Sequence, residues 1–437
     1  MERIRHAISI HRVLKSVLLA ALSVSIFLSG MPVHSAAGER NWTVDLHDYM
    51  VRKSNSTAGR SYQPSISLAA TNRVIGVALG IPDAPVTEGE WAAIYSGQWK
   101  VTLLLFDTNS GKLLKKLGPW IGGPSFELHP TAQGTFLLLL RHMQKETENP
   151  GESLYLLSSS GEELKKIELP ESTMTSRRGW SEFMVSSGGH TVLLGQILKG
   201  NVHYRVLETD TLETKFEWTR EEGSDSPRII ALSDKELLGF RDIRSGEKPI
   251  GLNTEREAFV RPLGGSWHPL NTTLDVSNRG LMSQGFHPTQ LAFLSDTVLV
   301  GVHRKTSERD GSIVELESDG TVLSRPLISK LQDRTTLSGP VAVSAGGHYF
   351  AVGFEHQPWL SHLLLDVMTM DITFWPDDSL FLVWEASSPE PVAKISLGTE
   401  VRAVSFALDD PPTLAYITGS KLQILRIHPN ANNSHGQ

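Results

Sequence analysis

Histidine and carboxylate residues gather in one stretch of the chain. Residues 354–375 read FEHQPWLSHLLLDVMTMDITFW, and Glu355, His356, His362 and Asp366 are side-chain types that ligate Zn²⁺ or Mn²⁺. Their spacing matches no standard zinc pattern. A loop rich in His and Trp also reads as a packed cap, so neither a metal nor a catalytic residue is assigned. His356, Trp359 and His362 remain as candidate binding residues. A second stretch, residues 88–99, reads EGEWAAIYSGQW and sets Trp91, Tyr95 and Trp99 in one insertion. Exposed aromatics of this kind favour contacts with protein or sugar. The competing reading is that they cover the edge of a sheet.

Other polar groups read more simply. His190 and His348 occupy equivalent turns of a repeat and are read as turn residues. Ser233-Asp234 and Ser295-Asp296 lie between strand segments, where Ser and Asp cap turns through their own side chains. His129 and His287 each precede Pro-Thr, the first in a turn between strands and the second ahead of a first strand. No Gly-x-Ser-x-Gly elbow, phosphate loop, dinucleotide fingerprint or HExxH is present, and Gly265-Ser-Trp is no substitute. The chain has no cysteine, which excludes disulfides, thiolate metal sites and Cys nucleophiles. No cofactor is expected.

These residues sit on a repeated frame. Val185–Gly195 reads VSSGGHTVLLG and returns 158 residues later as VSAGGHYFAVG at Val343–Gly353. Leu232–Gly239 (LSDKELLG) returns 62 residues later as LSDTVLVG at Leu294–Gly301. Each copy is an apolar residue, a small polar turn, an aliphatic run and then Gly: a strand, a tight turn and a second strand. Recurrence at such periods predicts an all-β propeller. Seven units can be counted between Ser67 and Ile427, and the last has three strands. The spare strand Trp42–Asp48 is expected to complete it, closing the ring over residues 41–430 and leaving no sheet edge open. Gly76, Gly195, Gly239, Gly301 and Gly353 are expected to end the second strands. The long loops are placed at Ile81–Lys100, Gly239–Glu257 and Phe354–Asp378. Residues 431–437 read as a disordered tail.

Val343–Val352 is similar to the S-P-D-G-x-x-L-A turn, and Leu104–Lys112 to the V-x-D-x-x-T-G-K turn, of bacterial envelope propellers. Leu382-Val-Trp-Glu385 looks like a degenerate Trp-Asp ending. The chain thus resembles the WD-repeat and YVTN-type propellers, which implies an interaction scaffold more often than an enzyme.

Residues 1–37 supply a charged start (Arg3, Arg5, Arg12, Lys15), an apolar run VLLAALSVSIFL at 17–28 and a small-residue zone around Ser35-Ala36-Ala37. This is the order of a Sec-type signal peptide, cleaved after Ser35 or Ala37, or retained as an anchor. A periplasmic or secreted location follows, with membrane contact only if the segment is retained. The whole chain carries a net charge of −7, and residues beyond 37 hold 37 basic and 47 acidic groups, a net of −10. Such a body disfavours nucleic acid. The expected function is an envelope scaffold for a protein or glycan partner. The alternative is a hydrolase, lactonase or metal-dependent enzyme at the ring's central opening, using Glu355, His356 and His362.

Overall fold

A computed structural model describes residues 38–50, 65–83, 99–123, 125–141, 152–169, 182–198, 201–221, 227–242, 255–275, 291–293, 298–304, 311–317, 322–326, 335–344, 347–356, 378–385, 388, 391–397, 401–407 and 413–427. The expected signal segment, the tail, Trp91, Tyr95, Trp359, His362, Asp366, His287 and Ser295-Asp296 lie outside these residues.

The fold is an all-β propeller. It opens with β1 (Gly38–Asp45) and one helical turn, α1 (His47–Met50). Next come β2 (Ser65–Ala70), β3 (Val74–Pro82), β4 (Trp99–Asp107) and β5 (Leu113–Gly122). A second group is β6 (Phe126–Pro130), β7 (Phe136–Arg141), β8 (Glu152–Leu157) and β9 (Glu163–Leu169). The third is β10 (Glu182–Val185), β11 (Thr191–Leu198), β12 (Asn201–Glu208) and β13 (Thr214–Glu221). The fourth is β14 (Arg228–Leu232), β15 (Glu236–Asp242), β16 (Glu255–Pro262) and β17 (His268–Asp275). The fifth is β18 (Leu291–Phe293), β19 (Val298–Arg304), β20 (Gly311–Glu317) and β21 (Val322–Pro326). The sixth is β22 (Thr335–Val343), β23 (Tyr349–His356), β24 (Asp378–Glu385) and β25 (Pro391–Leu397). The chain finishes with β26 (Val401–Phe406), β27 (Thr413–Thr418) and β28 (Lys421–Ile427).

Among the described residues each group forms one four-stranded antiparallel sheet, and β1 adds to β28 to make a seventh, in the order β1-β28-β27-β26. First strands meet between neighbouring groups: β2 packs on β6 and on β26, β10 on β14, β14 on β18, β18 on β22 and β22 on β26. The sheets stack through apolar faces. Leu104, Phe106, Ile417 and Ile424 share one core between the seventh sheet and the first. Leu128, Phe136, Val101 and Leu103 share the next. Leu139, Leu156, Val192 and Leu207 join the second sheet to the third. Serine hydroxyls stitch the inner strands across these faces: Ser405 Oγ accepts from Ala70 N at 3.0 Å, and Ser67 Oγ from Leu128 N at 2.9 Å. Outer strands carry charge instead; in β9 the run ELKKI is exposed or half-exposed.

Three expectations are corrected. The N-terminal strand runs Gly38–Asp45 rather than Trp42–Asp48, because Asp45 Oδ1 accepts from His47 N at 2.9 Å and turns the chain into α1. The recurrent glycines lie inside the second strands and do not end them. At Gly76 an added Cβ would sit 2.9 Å from Leu128 Cδ2 and 3.3 Å from Phe136 Cε1, so the bare position lets the next sheet approach. His129 is in strand β6 rather than a turn, its ring 5.4 Å from that of Phe183 in the third sheet.

The long connections are also shorter than expected, since strands extend into them from both sides. Glu355 and His356 belong to β23, and Asp378 to β24. The turn Asp107–Lys112 forms as expected. Asp107 Oδ1 accepts from Ser110 Oγ at 2.7 Å, Ser110 N at 2.8 Å and Asn109 N at 3.2 Å, and Gly111 adopts φ +69°.

Candidate functional site

A cleft of about 320 Å³ opens between the third and fourth sheets. Its first wall is the register pair Tyr204 and Trp218, which the antiparallel pairing of β12 with β13 sets side by side. Their rings stack at 5.0 Å and 19°. Arg220 lies two residues beyond Trp218 in β13, hence on the same face of the strand. The second wall comes from the next sheet: Pro227 and Ile229 at β14, Arg261 in β16, and Gly265, Ser266 and Trp267 in the turn before β17.

Close packing shapes this turn. A Cβ on Gly239 would meet Pro227 and the Trp267 indole, both at 2.8 Å, so the glycine makes room for that ring. Gly264 has φ +80° and faces Phe216 of β13, an aromatic that is 37% exposed. The third and fourth sheets share a core through Val206, Ile229 and Leu237, with Trp218 and Trp267 packed at its margin.

Two cations face the cleft. The Arg261 guanidinium lies 4.0 Å over the Trp218 ring, and its Nε donates to Gly265 O at 2.8 Å. A cation over an indole contributes about 0.5–2 kcal/mol, depending on how far water is excluded. Burial pulls the pKa of Arg261 down from its ordinary value. Arg220 Nη1 donates to Pro227 O at 3.3 Å, while its Nε is buried without a hydrogen-bond partner. Among the described residues neither arginine is in an ion pair.

The residues expected from the sequence fall elsewhere. Trp99 is corrected: it is the first residue of β4 and fully buried, with Pro82 on one side and Gly122 on the other. A large indole at a strand start is covered by the sheet stack. His356 ends β23, paired in register with Thr335 and Asp378. Glu355 precedes it in the same strand, paired in register with Thr336 and Ser379. His190 and His348 are exposed in turns.

Ser233 caps its own turn, accepting from Glu236 N at 2.9 Å and Lys235 N at 3.2 Å. Asp234 does not share that role. It reaches back to the third sheet, where Ser186 Oγ and Thr191 Oγ1 donate to its Oδ1. Among the described residues no group of three or more His, Asp or Glu side chains could hold a metal. Nor is any helix among them long and apolar enough to cross a membrane.

Sequence reasoning misses the cleft residues. Gly265-Ser266-Trp267 draws notice only as a failed nucleophile elbow, and nothing in the sequence singles out Tyr204 or Trp218. A usable signal is Gly239 inside an aliphatic strand, which marks a close approach by something large.

No protein-family model matches the chain, and no curated protein matches it. Solved structures of similar fold include the β-propeller domain of the Trilobed protease from Pyrococcus furiosus. It is 9% identical with a TM-score of 0.49, over 86% of this chain and 98% of that one. Pyrococcus horikoshii acylaminoacyl peptidase is 9% identical with a TM-score of 0.48, over 84% of this chain and 51% of that one. TolB from Acinetobacter baumannii is 13% identical with a TM-score of 0.36, over 76% of this chain and 79% of that one.

Proposed function

We propose that this chain is an exported β-propeller of seven blades, closed by its N-terminal strand, that binds a partner in the cell envelope through the cleft between its third and fourth sheets. The observation that carries this reading is the cleft itself: an aromatic floor and two arginines drawn from two adjacent sheets. Binding sites concentrate aromatic and arginine side chains in this way. A rigid stack on either side fixes their spacing, so little ordering cost accompanies binding. The pairing of β1 with β28 supports closure of the ring. Residues 1–37 support export, and cleavage after Ala37 would leave β1 whole.

The test places a photo-reactive amino acid at Ser266, an exposed residue of the cleft, in cells that make the chain. A crosslinked partner is expected, absent when the same amino acid is placed at Leu164, an exposed position on β9. Equal crosslinking from both sites, or none from Ser266, would remove the cleft from the account. Mass spectrometry of the same material is expected to find a mature N-terminus at Ala36 or Gly38. An intact Met1 would show a retained anchor instead.

A further inference from the structure

The scaffold reading leaves the chemistry of the partner open, and the cleft narrows it. We propose that the cleft takes an acidic peptide segment, with a carboxylate held between Arg220 and Arg261 and a neighbouring bulky apolar side chain against Trp267. This rests on the reading of the chain as a binding scaffold.

Charge is the first argument. The chain is acidic overall, at −7, yet this cleft draws guanidinium groups from two different sheets and offers them no carboxylate among the described residues. Burying a cation without a counter-charge is costly, and an arriving anion relieves that cost. The lowered pKa of Arg261 has desolvation as its cause and agrees with an unneutralised cation.

Geometry is the second. Arg261 is fixed from two directions, by the indole of Trp218 beneath it and by the bond from its Nε to Gly265 O. Its terminal nitrogens make no hydrogen bond to described residues. A guanidinium held this way presents a planar pair of donors, which matches the two oxygens of a carboxylate. Arg220 adds a second donor set from β13.

The apolar part is the third. Pro227, Ile229 and Trp267 line the same cleft. Its volume of about 320 Å³ lies at the lower end of the range for ligand sites, room for one or two residues of a chain. A neutral sugar fits less well, because the Trp218 ring already holds Tyr204 and Arg261.

The test is calorimetric titration of the full chain with two capped peptides, acetyl-Phe-Glu-amide and acetyl-Phe-Gln-amide. They differ only in the charge of one side chain. The acidic peptide is expected to bind at least about tenfold more tightly, the scale of one charge-assisted hydrogen-bonded contact. Arg261→Gln should erase the preference. Arg220→Gln, on the other wall, should reduce it independently, so one variant that fails to fold does not end the test. Trp267→Ala should weaken both peptides and keep the preference.

Equal affinity for the two peptides, or no heat from either up to about 5 mM, a limit near −3 kcal/mol, would overturn the proposal. So would equal affinity for inorganic phosphate or glucuronate, which would make the cleft a plain anion site or a sugar-acid site. If the peptides fail while Ser266 still captures a partner, the acidic-peptide class falls and the scaffold stands. If both fail, the cleft is not the binding site.

Discussion

Replacing Trp42 by Ala removes a side chain through which, with Val44, β1 packs beyond its own sheet. Trp42 Nε1 donates to Thr108 O at 2.9 Å, in the turn between β4 and β5, and its ring packs at the margin of the core shared by the seventh and first sheets. A Cβ on Gly111 would meet that ring at 2.7 Å, so the turn and the indole are fitted to each other. Fully buried Trp→Ala changes cost about 3–5 kcal/mol; Trp42 is half-buried, which scales this to about 2 kcal/mol. The lost hydrogen bond adds about 1 kcal/mol. A total near 3 kcal/mol is expected from equilibrium unfolding in urea, followed by tryptophan fluorescence and circular dichroism. Over roughly 400 residues the entropy of unfolding is about 0.8 kcal/mol/K, so Tm should fall by only about 3–4 °C. Denaturant is therefore the better assay. Trp42→Phe keeps most of the ring contact and should cost only about 1 kcal/mol. A Trp42→Ala protein within about 0.5 kcal/mol of wild type, the scale of an ordinary surface change, would refute the idea that β1 bridges two sheets.

Two further outcomes follow from the packing and the turns. Gly76→Ala should destabilise by about 1–3 kcal/mol in the same urea assay, because its Cβ must displace Leu128 and Phe136 in a filled core. Thermal stability should fall in acid. Hydrogen bonds from Ser110 hold the Asp107 carboxyl below its ordinary value, the bond from His47 N does so for Asp45, and Lys215 does so for Glu208. A depressed carboxylate stabilises the fold above its unfolded value and loses that contribution as pH falls through its folded value, so Tm should hold from neutrality and drop below about pH 4. Asp107→Asn should make that drop shallower in a pH series of melting curves.

Much of the fold could be read from the chain because a propeller repeats one local rule. Turn residues such as Asp107-Thr-Asn-Ser-Gly111 announce themselves by side chains that bond their own backbone, as they do here. Strand content followed from alternation and aliphatic runs, and the spare N-terminal strand from counting. What failed was anything decided between sheets. Gly76 and Gly239 read as strand ends, since a missing side chain gives no hint of what fills its place; at Gly76 the next sheet fills it, and at Gly239 the Trp267 ring does. Trp99 read either as an exposed contact aromatic or as cover for a sheet edge, because burial by a stacked neighbour leaves no local trace, and its full burial rules out the first. The cleft was hidden for the same reason. Trp218 and Arg261 are 43 positions apart, and only the stacking of two sheets sets one over the other. Asp234 likewise looked like a turn cap and proved to tie its sheet to the one before.

β1 pairs with β28 and so completes the seventh sheet. The chain has no cysteine, so one engineered pair tests this without background. Asp45 and Lys421 are register partners in the β1–β28 pairing, and both are exposed. Antiparallel partners lie about 4.5–5.5 Å apart at Cα, within the span of a disulfide. Purified Asp45→Cys/Lys421→Cys protein, oxidised and run without reductant, is expected to be monomeric, free of titratable thiol and more resistant to urea than its reduced form. Two free thiols after oxidation, or a disulfide only between chains, would contradict closure of the ring by its first strand.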